Sequence, residues 1–251
     1  MSGYRAFAPF YDALTADVDY PARAAYFLSL FERFGRAPRT LLDVACGSGS
    51  LTREFVRRGI EVVGVDASCD MLSLAQQKTA GLRPPVLLLE QDMRALQIGR
   101  RVEGAVCALD SLSHLCRTAD VLSALRGVRR ALLPGGVFLF DVNTPYKHRE
   151  ILRDNDFIFE QDGLICLWRN RLHARTCEVD MQLDFLAEDP DGRYERYEDE
   201  VRERAYTART WQALLREAGF ALLAHYGDMT TDPPGETCER WVFAARAEDE
   251  E

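Results

Sequence analysis

Between Thr40 and Asp141, short apolar runs alternate with amphipathic stretches, as when strands and helices take turns along a chain. The runs Leu41–Val44, Glu61–Asp66, Val86–Gln91, Arg101–Leu109 and Val137–Asp141 predict strands. Such alternation implies parallel strands joined by right-handed crossovers, with a ligand crevice at their carboxyl ends. Ahead of them, Ala24, Phe27, Leu28, Phe31 and Phe34 recur at helical spacing and Gly35 supplies a stop, which predicts a helix over Tyr20–Phe34. The residues before it, with Tyr4, Phe7, Phe10, Tyr11 and Tyr20, are too irregular for a strand and too apolar for a free tail.

From about Phe157 to Ala205 the period changes to strict alternation, with Val179, Met181, Leu183 and Phe185 on one face and Glu178, Asp180, Gln182 and Asp184 on the other. This suits antiparallel strands with one buried face, turning at Asp162-Gly163, His173–Arg175 and Asp189–Gly192. A helix over Thr207–Ala218 and two closing strands, Ala221–Tyr226 and Arg240–Ala245, return the chain to the first pattern. The expected organisation is a core of residues 1–150 and 206–247, whose first 20 residues form a cover segment, with residues 151–205 inserted as a lid sheet.

Candidate chemistry begins at Leu41-Leu42-Asp43-Val44-Ala45-Cys46-Gly47-Ser48-Gly49, where an apolar strand ends in a Gly-x-Gly turn. Glycines there let the backbone turn sharply and approach a ligand without a Cβ clash. A third glycine at dinucleotide spacing is missing, since Thr52 stands there, and so is the Lys-Ser/Thr pair of a phosphate-cradling loop. The next strand ends in Asp66, about 20 residues on, where a carboxylate can accept both hydroxyls of a ribose.

On Asp43, Gly47, Gly49 and Asp66 the chain resembles the class I S-adenosylmethionine-dependent methyltransferases. Ala45 departs from the glycine common there, a change expected to be tolerated if its φ is negative. The resemblance implies a mostly parallel, seven-stranded, doubly wound Rossmann-like α/β sheet with the antiparallel insertion as substrate lid, and S-adenosylmethionine as cofactor. It further implies cofactor contacts at Asp43, Ala45, Gly47, Gly49, Asp66, Ala67, Met71, Asp92, Met93 and Leu109, with Asp92 facing the adenine amine. Asp110, Ser111, Tyr20 and Trp168 are expected at the acceptor, and Tyr11-Asp12 in a segment closing over both ligands. His114 and Tyr11 are the candidates for a general base, should the acceptor arrive protonated. The turn Pro134-Gly135-Gly136 before the fifth strand completes the register of landmarks.

The 251 residues are 47% apolar and contain no uncharged apolar stretch of about 18, so a soluble chain is expected, without a membrane span. The start of the chain lacks the features of a secretory leader, and seven cysteines without paired spacing suit a reducing cytoplasm. The four histidines have no ligand-spaced partners, so no metal is expected. A net charge of −9 disfavours a nucleic acid substrate; the resemblance then implies a small-molecule acceptor methylated at N or O, and a monomer or homodimer is expected. Arg126, Arg129 and Arg130 are expected to serve a helix end, and the acidic tail 248–251 to be a loose terminus. Tyr194, Tyr197 and Tyr206 join Trp168 as aromatic lid surface. Two alternatives are an NAD-dependent oxidoreductase, against which the missing glycine counts, and a non-catalytic S-adenosylmethionine-binding protein.

Overall fold

In a computed structural model, residues 8–248 are described; Tyr4 and Phe7 of the leader and residues 249–251 of the acidic tail lie outside them. In chain order the first elements are α1 (Ala8–Leu14), α2 (Tyr20–Arg33), β1 (Thr40–Val44), α3 (Ser50–Arg57), β2 (Glu61–Asp66), α4 (Cys69–Thr79), β3 (Leu87–Glu90), β4 (Val102–Cys107), α5 (Thr118–Ala131) and β5 (Leu132–Asn143). Then follow β6 (Asp156–Gln161), β7 (Leu164–His173), β8 (Glu178–Glu188), β9 (Tyr194–Arg204), α6 (Ala208–Glu217), β10 (Phe220–Gly227) and β11 (Arg240–Ala247). The main sheet has seven strands in the order β10-β11-β5-β4-β1-β2-β3, and the second sheet has four, β6-β7-β8-β9.

Strands β1 to β5 pair in parallel, and β11 runs antiparallel to both β5 and β10. The main sheet is apolar on both faces because helices cover both. On one face Phe138, Phe140 and Val142 of β5 meet Trp211 of α6 and Phe243 of β11, with Phe140 and Phe243 stacked at 5.2 Å. On the other, Leu41, Val62 and Leu139 pack under Phe27, Leu30 and Phe31 of α2. Asp19 caps α2 by accepting from the Ala22 N–H at 2.9 Å, and Pro21 in the first turn removes a donor that would have gone unpaired.

The strict alternation of β8 gives the second sheet one buried face, on which Leu164, Cys166, Leu183 and Phe185 pack against Phe10, Ala13 and Leu14 of α1. The aromatic leader is thus helical from Ala8, and Phe10 stacks on Phe185 at 5.0 Å. Tyr206 is not lid surface. It is 3% exposed, donates to the Leu115 carbonyl at 2.7 Å and meets Trp211 edge-on, because the chain re-enters the main core one residue after Ala205. Arg129 of α5 donates to the Gly219 carbonyl at 3.2 Å, just past the end of α6 and not at the end of its own helix.

Candidate active site

The turn after β1 is built from left-handed residues, Ala45 (φ 55°), Gly47 (φ 53°) and Gly49 (φ 76°), the last capping α3. Ala45 therefore does not have the negative φ expected of it. The turn imposes the conformation, and the methyl group bears the strain. Gly49 is required twice over, since a Cβ there would lie 2.7 Å from the Ala75 Cβ of α4. The same turn aims the Gly47 N–H at Asp66 Oδ2 (2.8 Å), while the Ser68 N–H reaches Oδ1 (2.9 Å), which fixes the Asp66 carboxylate at the end of β2.

Asp43, 2% exposed, accepts the Thr52 hydroxyl at 2.5 Å. Burial pushes its carboxyl up to about 7, against the pull of Thr52 and with a further push from Asp66. Thr52, at the position a third glycine would occupy, thus holds Asp43 in place. Burial also raises Asp66, opposed by hydrogen bonds from Ser68, Gly47 and Ala67.

Helix α1 lies across this turn. Asp12 Oδ1 accepts from Ser48 Oγ (2.7 Å) and from Lys78 Nζ (2.5 Å), and Lys78 also donates to Ser48 and Ser50, each at 2.7 Å. Tyr11, Tyr20, Asp43, Ala45, Leu109 and Ser111 line what remains of the crevice, a cavity of about 30 Å³. The Tyr20 hydroxyl, facing Thr15 and Ser50, is buried there without a hydrogen bond of ordinary geometry. Burial raises the Tyr11 phenol, which makes it a poor base.

After β4 the chain again turns left-handed, at Leu109 (φ 54°) and Asp110 (φ 56°), and both N–H groups donate to Asp141, at 3.1 and 2.8 Å. Asp110 pairs with Arg240, which also bonds Asp141 at 2.7 Å, and Arg23 joins Asp141 to Asp228. Although Asp110 is buried, the charges of Arg240 and Lys147 hold its carboxyl below the usual range. With both oxygens on Arg240, Asp110 is a wall of the crevice, not a proton acceptor. His114 closes the short helical turn beside it, its Nε2 3.8 Å from Glu203.

Asp92 caps the turn after β3, and both its oxygens are bonded by Arg94. Met71 is buried and Met93 half-buried, whereas Ala67 is exposed. Trp168 lies in the second sheet between Phe157 and Phe159, its indole donating to Asn170 at 2.7 Å. Among the described residues no group of three or more His, Cys, Asp or Glu could hold a metal ion, and no helix is long and apolar enough to cross a membrane.

Sequence reasoning missed Lys78, Arg23, Arg240, Asn143, His148 and Glu203. Arg240 opens β11 directly opposite Asn143 at the end of β5, a register that only the antiparallel pairing reveals. Of these, only Arg240 carries a sequence signal, a charge at the start of a predicted strand.

Helix N-terminus, left-handed glycines, fixed Asp66 and an unpartnered Tyr20 hydroxyl suit a neutral, hydroxyl-rich nucleoside with a charged tail. A family model for the methyltransferase domain matches residues 41–136. The methyltransferase-family protein YqeM of Bacillus subtilis strain 168 is 30% identical over 97% of this chain and 96% of its own. An S-adenosylmethionine-dependent methyltransferase from Clostridium acetobutylicum ATCC 824 superposes with a TM-score of 0.87, at 29% identity, over 97% of this chain and 98% of that one. A dTDP-3-amino-3,6-dideoxy-alpha-D-glucopyranose N,N-dimethyltransferase of Streptomyces fradiae is 33% identical over 49% of this chain and 47% of its own. The chain belongs to the class I S-adenosylmethionine-dependent methyltransferases.

Proposed function

We propose that this enzyme methylates an amine nitrogen of a small polar molecule, by in-line displacement. The observation that carries this is the acidic setting of His114, whose neighbours Asp66, Asp110 and Glu203 all carry negative charge toward it. Such a setting attracts an ammonium group. A cavity of about 500 Å³, lined by Lys147, Asp228, Thr230, Thr237, Glu239 and Arg240, shares Arg240 with the wall at Asp110. Its size and polar lining suit a sugar-sized acceptor. The amino-sugar dimethyltransferase relative supports the same class.

S-adenosylmethionine, when bound, supplies a methyl carbon on a positively charged sulfur. The protein's part is to hold the acceptor nitrogen in line and exclude water, which is worth up to about 7–11 kcal/mol. Asp66 and the glycine turn hold the nucleoside, Asp43 and Thr52 face the tail, and α1 with the second sheet shuts out solvent. His114 takes the ammonium proton so that the nitrogen presents a lone pair.

The test is release of S-adenosylhomocysteine with a panel of matched small amines, amino sugars and alcohols. Turnover of amines, lost in His114→Ala with cofactor affinity intact, is expected. Turnover confined to alcohols would move the reaction to oxygen, and none with any small molecule would return the protein to a cofactor-binding role.

A further inference from the structure

Strand β9, the last of the second sheet, brings Glu203 back to the main sheet, where it is 6% exposed and lies between two imidazoles. Its Oε2 accepts from Asn143 Nδ2 at 2.7 Å and lies 3.7 Å from His148 Nε2. Its Oε1 lies 3.8 Å from His114 Nε2. Asn143 is itself held by Lys147, whose Nζ donates to Asn143 Oδ1 at 3.0 Å. A carboxylate removed from water this far costs several kcal/mol unless partners compensate it.

His148 shows which partners do so. It is fully buried, with Nδ1 3.0 Å from the Cys177 carbonyl oxygen. A carbonyl only accepts, so Nδ1 carries a proton. Nε2 then faces Glu203 with no hydrogen bond of ordinary geometry. A bare lone pair against a carboxylate is repulsive, whereas an N–H there is attractive.

We propose that Glu203 is a positioning residue for His114: held by Asn143 and packed against His148, it turns the His114 imidazole so that Nε2–H faces it and offsets the charge His114 gains on accepting a proton. This rests on the amine methylation proposed above. In that step an N–H bond of the acceptor ammonium breaks and its proton passes to His114 Nδ1, while the electron pair stays on nitrogen. The pair then forms the bond to the methyl carbon as the carbon–sulfur bond breaks toward sulfur. His114 returns its proton to solvent once product leaves. Since Glu203 comes from the second sheet and His114 from the turn after β4, the base is complete only with that sheet seated.

The other charges nearby are accounted for. His114 also faces Asp66 and Asp110, and Glu203 also faces Asp110 and Cys116, while Lys147 faces Asp110. Burial works against an ionised Glu203, but the His148 imidazole beside it and the charge of His114 outweigh it and hold the carboxyl below its usual range.

The experiment is a proton NMR titration of the His114 Cε1–H signal in the full-length wild type, Glu203→Gln and Glu203→Asp, without added ligand. The pH at which the signal moves should fall by half a unit or more in Glu203→Gln and recover most of that in Glu203→Asp. The signal of His173, which pairs with Asp180, should not move. With an amine acceptor, the acid limb of the rate profile should shift in step, and kcat should fall at least tenfold with KM changed less than threefold. A His114 midpoint unchanged in Glu203→Gln would overturn the proposal. Should the variants not fold, nitrogen-15 shifts of neutral His114 in the wild type decide: a proton on Nε2 with a bare Nδ1 supports it, and a proton on Nδ1 with a bare Nε2 overturns it. Loss of S-adenosylhomocysteine binding by the wild type would instead defeat the methyltransferase function and leave the His114 shift readable.

Discussion

At the scale of single residues, strain and burial meet in the turn after β1. Ala45 sits at φ 55°, where an L-residue costs about 1–2 kcal/mol that glycine avoids. Ala45→Gly is expected to raise stability by up to about 1 kcal/mol, part of the gain being lost to the unfolded chain's extra freedom. Thermal unfolding checks this, and a lowered midpoint would show that the methyl group packs better than its backbone suffers. Asp43 adds a pH dependence. Its folded pKa of about 7 lies above its unfolded value, so the folded state binds the extra proton between about pH 4 and 7 and loses that stabilisation as pH rises through 7. Asp43→Asn should remove this slope and leave the variant about 2–4 kcal/mol more stable than wild type at pH 8, since each pKa unit is about 1.4 kcal/mol. Denaturant unfolding at pH 5 and pH 8 measures it, and an unchanged slope would mean that Asp43 is ionised throughout. Gly47, Gly49 and Asp66 were legible in the sequence because a tight turn has few solutions. The sign of φ at Ala45 was not, because it is set by the path of the whole turn.

At the scale of elements, α1 is held to the glycine turn through Asp12, which accepts from Ser48 directly and from Lys78, a lysine that also donates to Ser48 and Ser50. Burial lowers the Lys78 ammonium, and Asp12 counters it. A charged hydrogen-bonded clasp of this kind is worth about 1.5–3 kcal/mol, so Lys78→Ala should free α1 from the crevice. Limited proteolysis within residues 8–19 should accelerate by about tenfold or more, while the sheet stays intact. Cleavage at the wild-type rate would mean that the packing of Phe10 on Phe185 and the Ser48–Asp12 hydrogen bond hold α1 without the lysine. The second sheet was legible because a strict two-residue period admits only a half-buried strand, as Val179 to Leu183 show. Helix α1 was not, because its apolar residues face two partners at once, the second sheet and the crevice, and so keep no single stripe.

At the scale of the whole molecule, the main sheet brings the ends of β1, β2 and β4 to one crevice, and the antiparallel β11 closes it from the far side with Arg240. The parallel order followed from alternating elements and one handedness of crossover. The buried ion network of Arg23, Asp110, Asp141, Asp228 and Arg240 could not follow from sequence, since its bonded partners lie up to 205 positions apart and meet only through the sheet order. For the same reason Glu203 and His114 are neighbours across two sheets.

The most direct measurement is calorimetric titration of the protein with S-adenosylhomocysteine, with NADH as control and Asp66→Ala as the site variant. Micromolar binding of S-adenosylhomocysteine, no binding of NADH and a loss of at least tenfold in affinity in Asp66→Ala are expected. Binding of NADH alone, or full affinity in the variant, would contradict a cofactor site at the ends of β1 and β2.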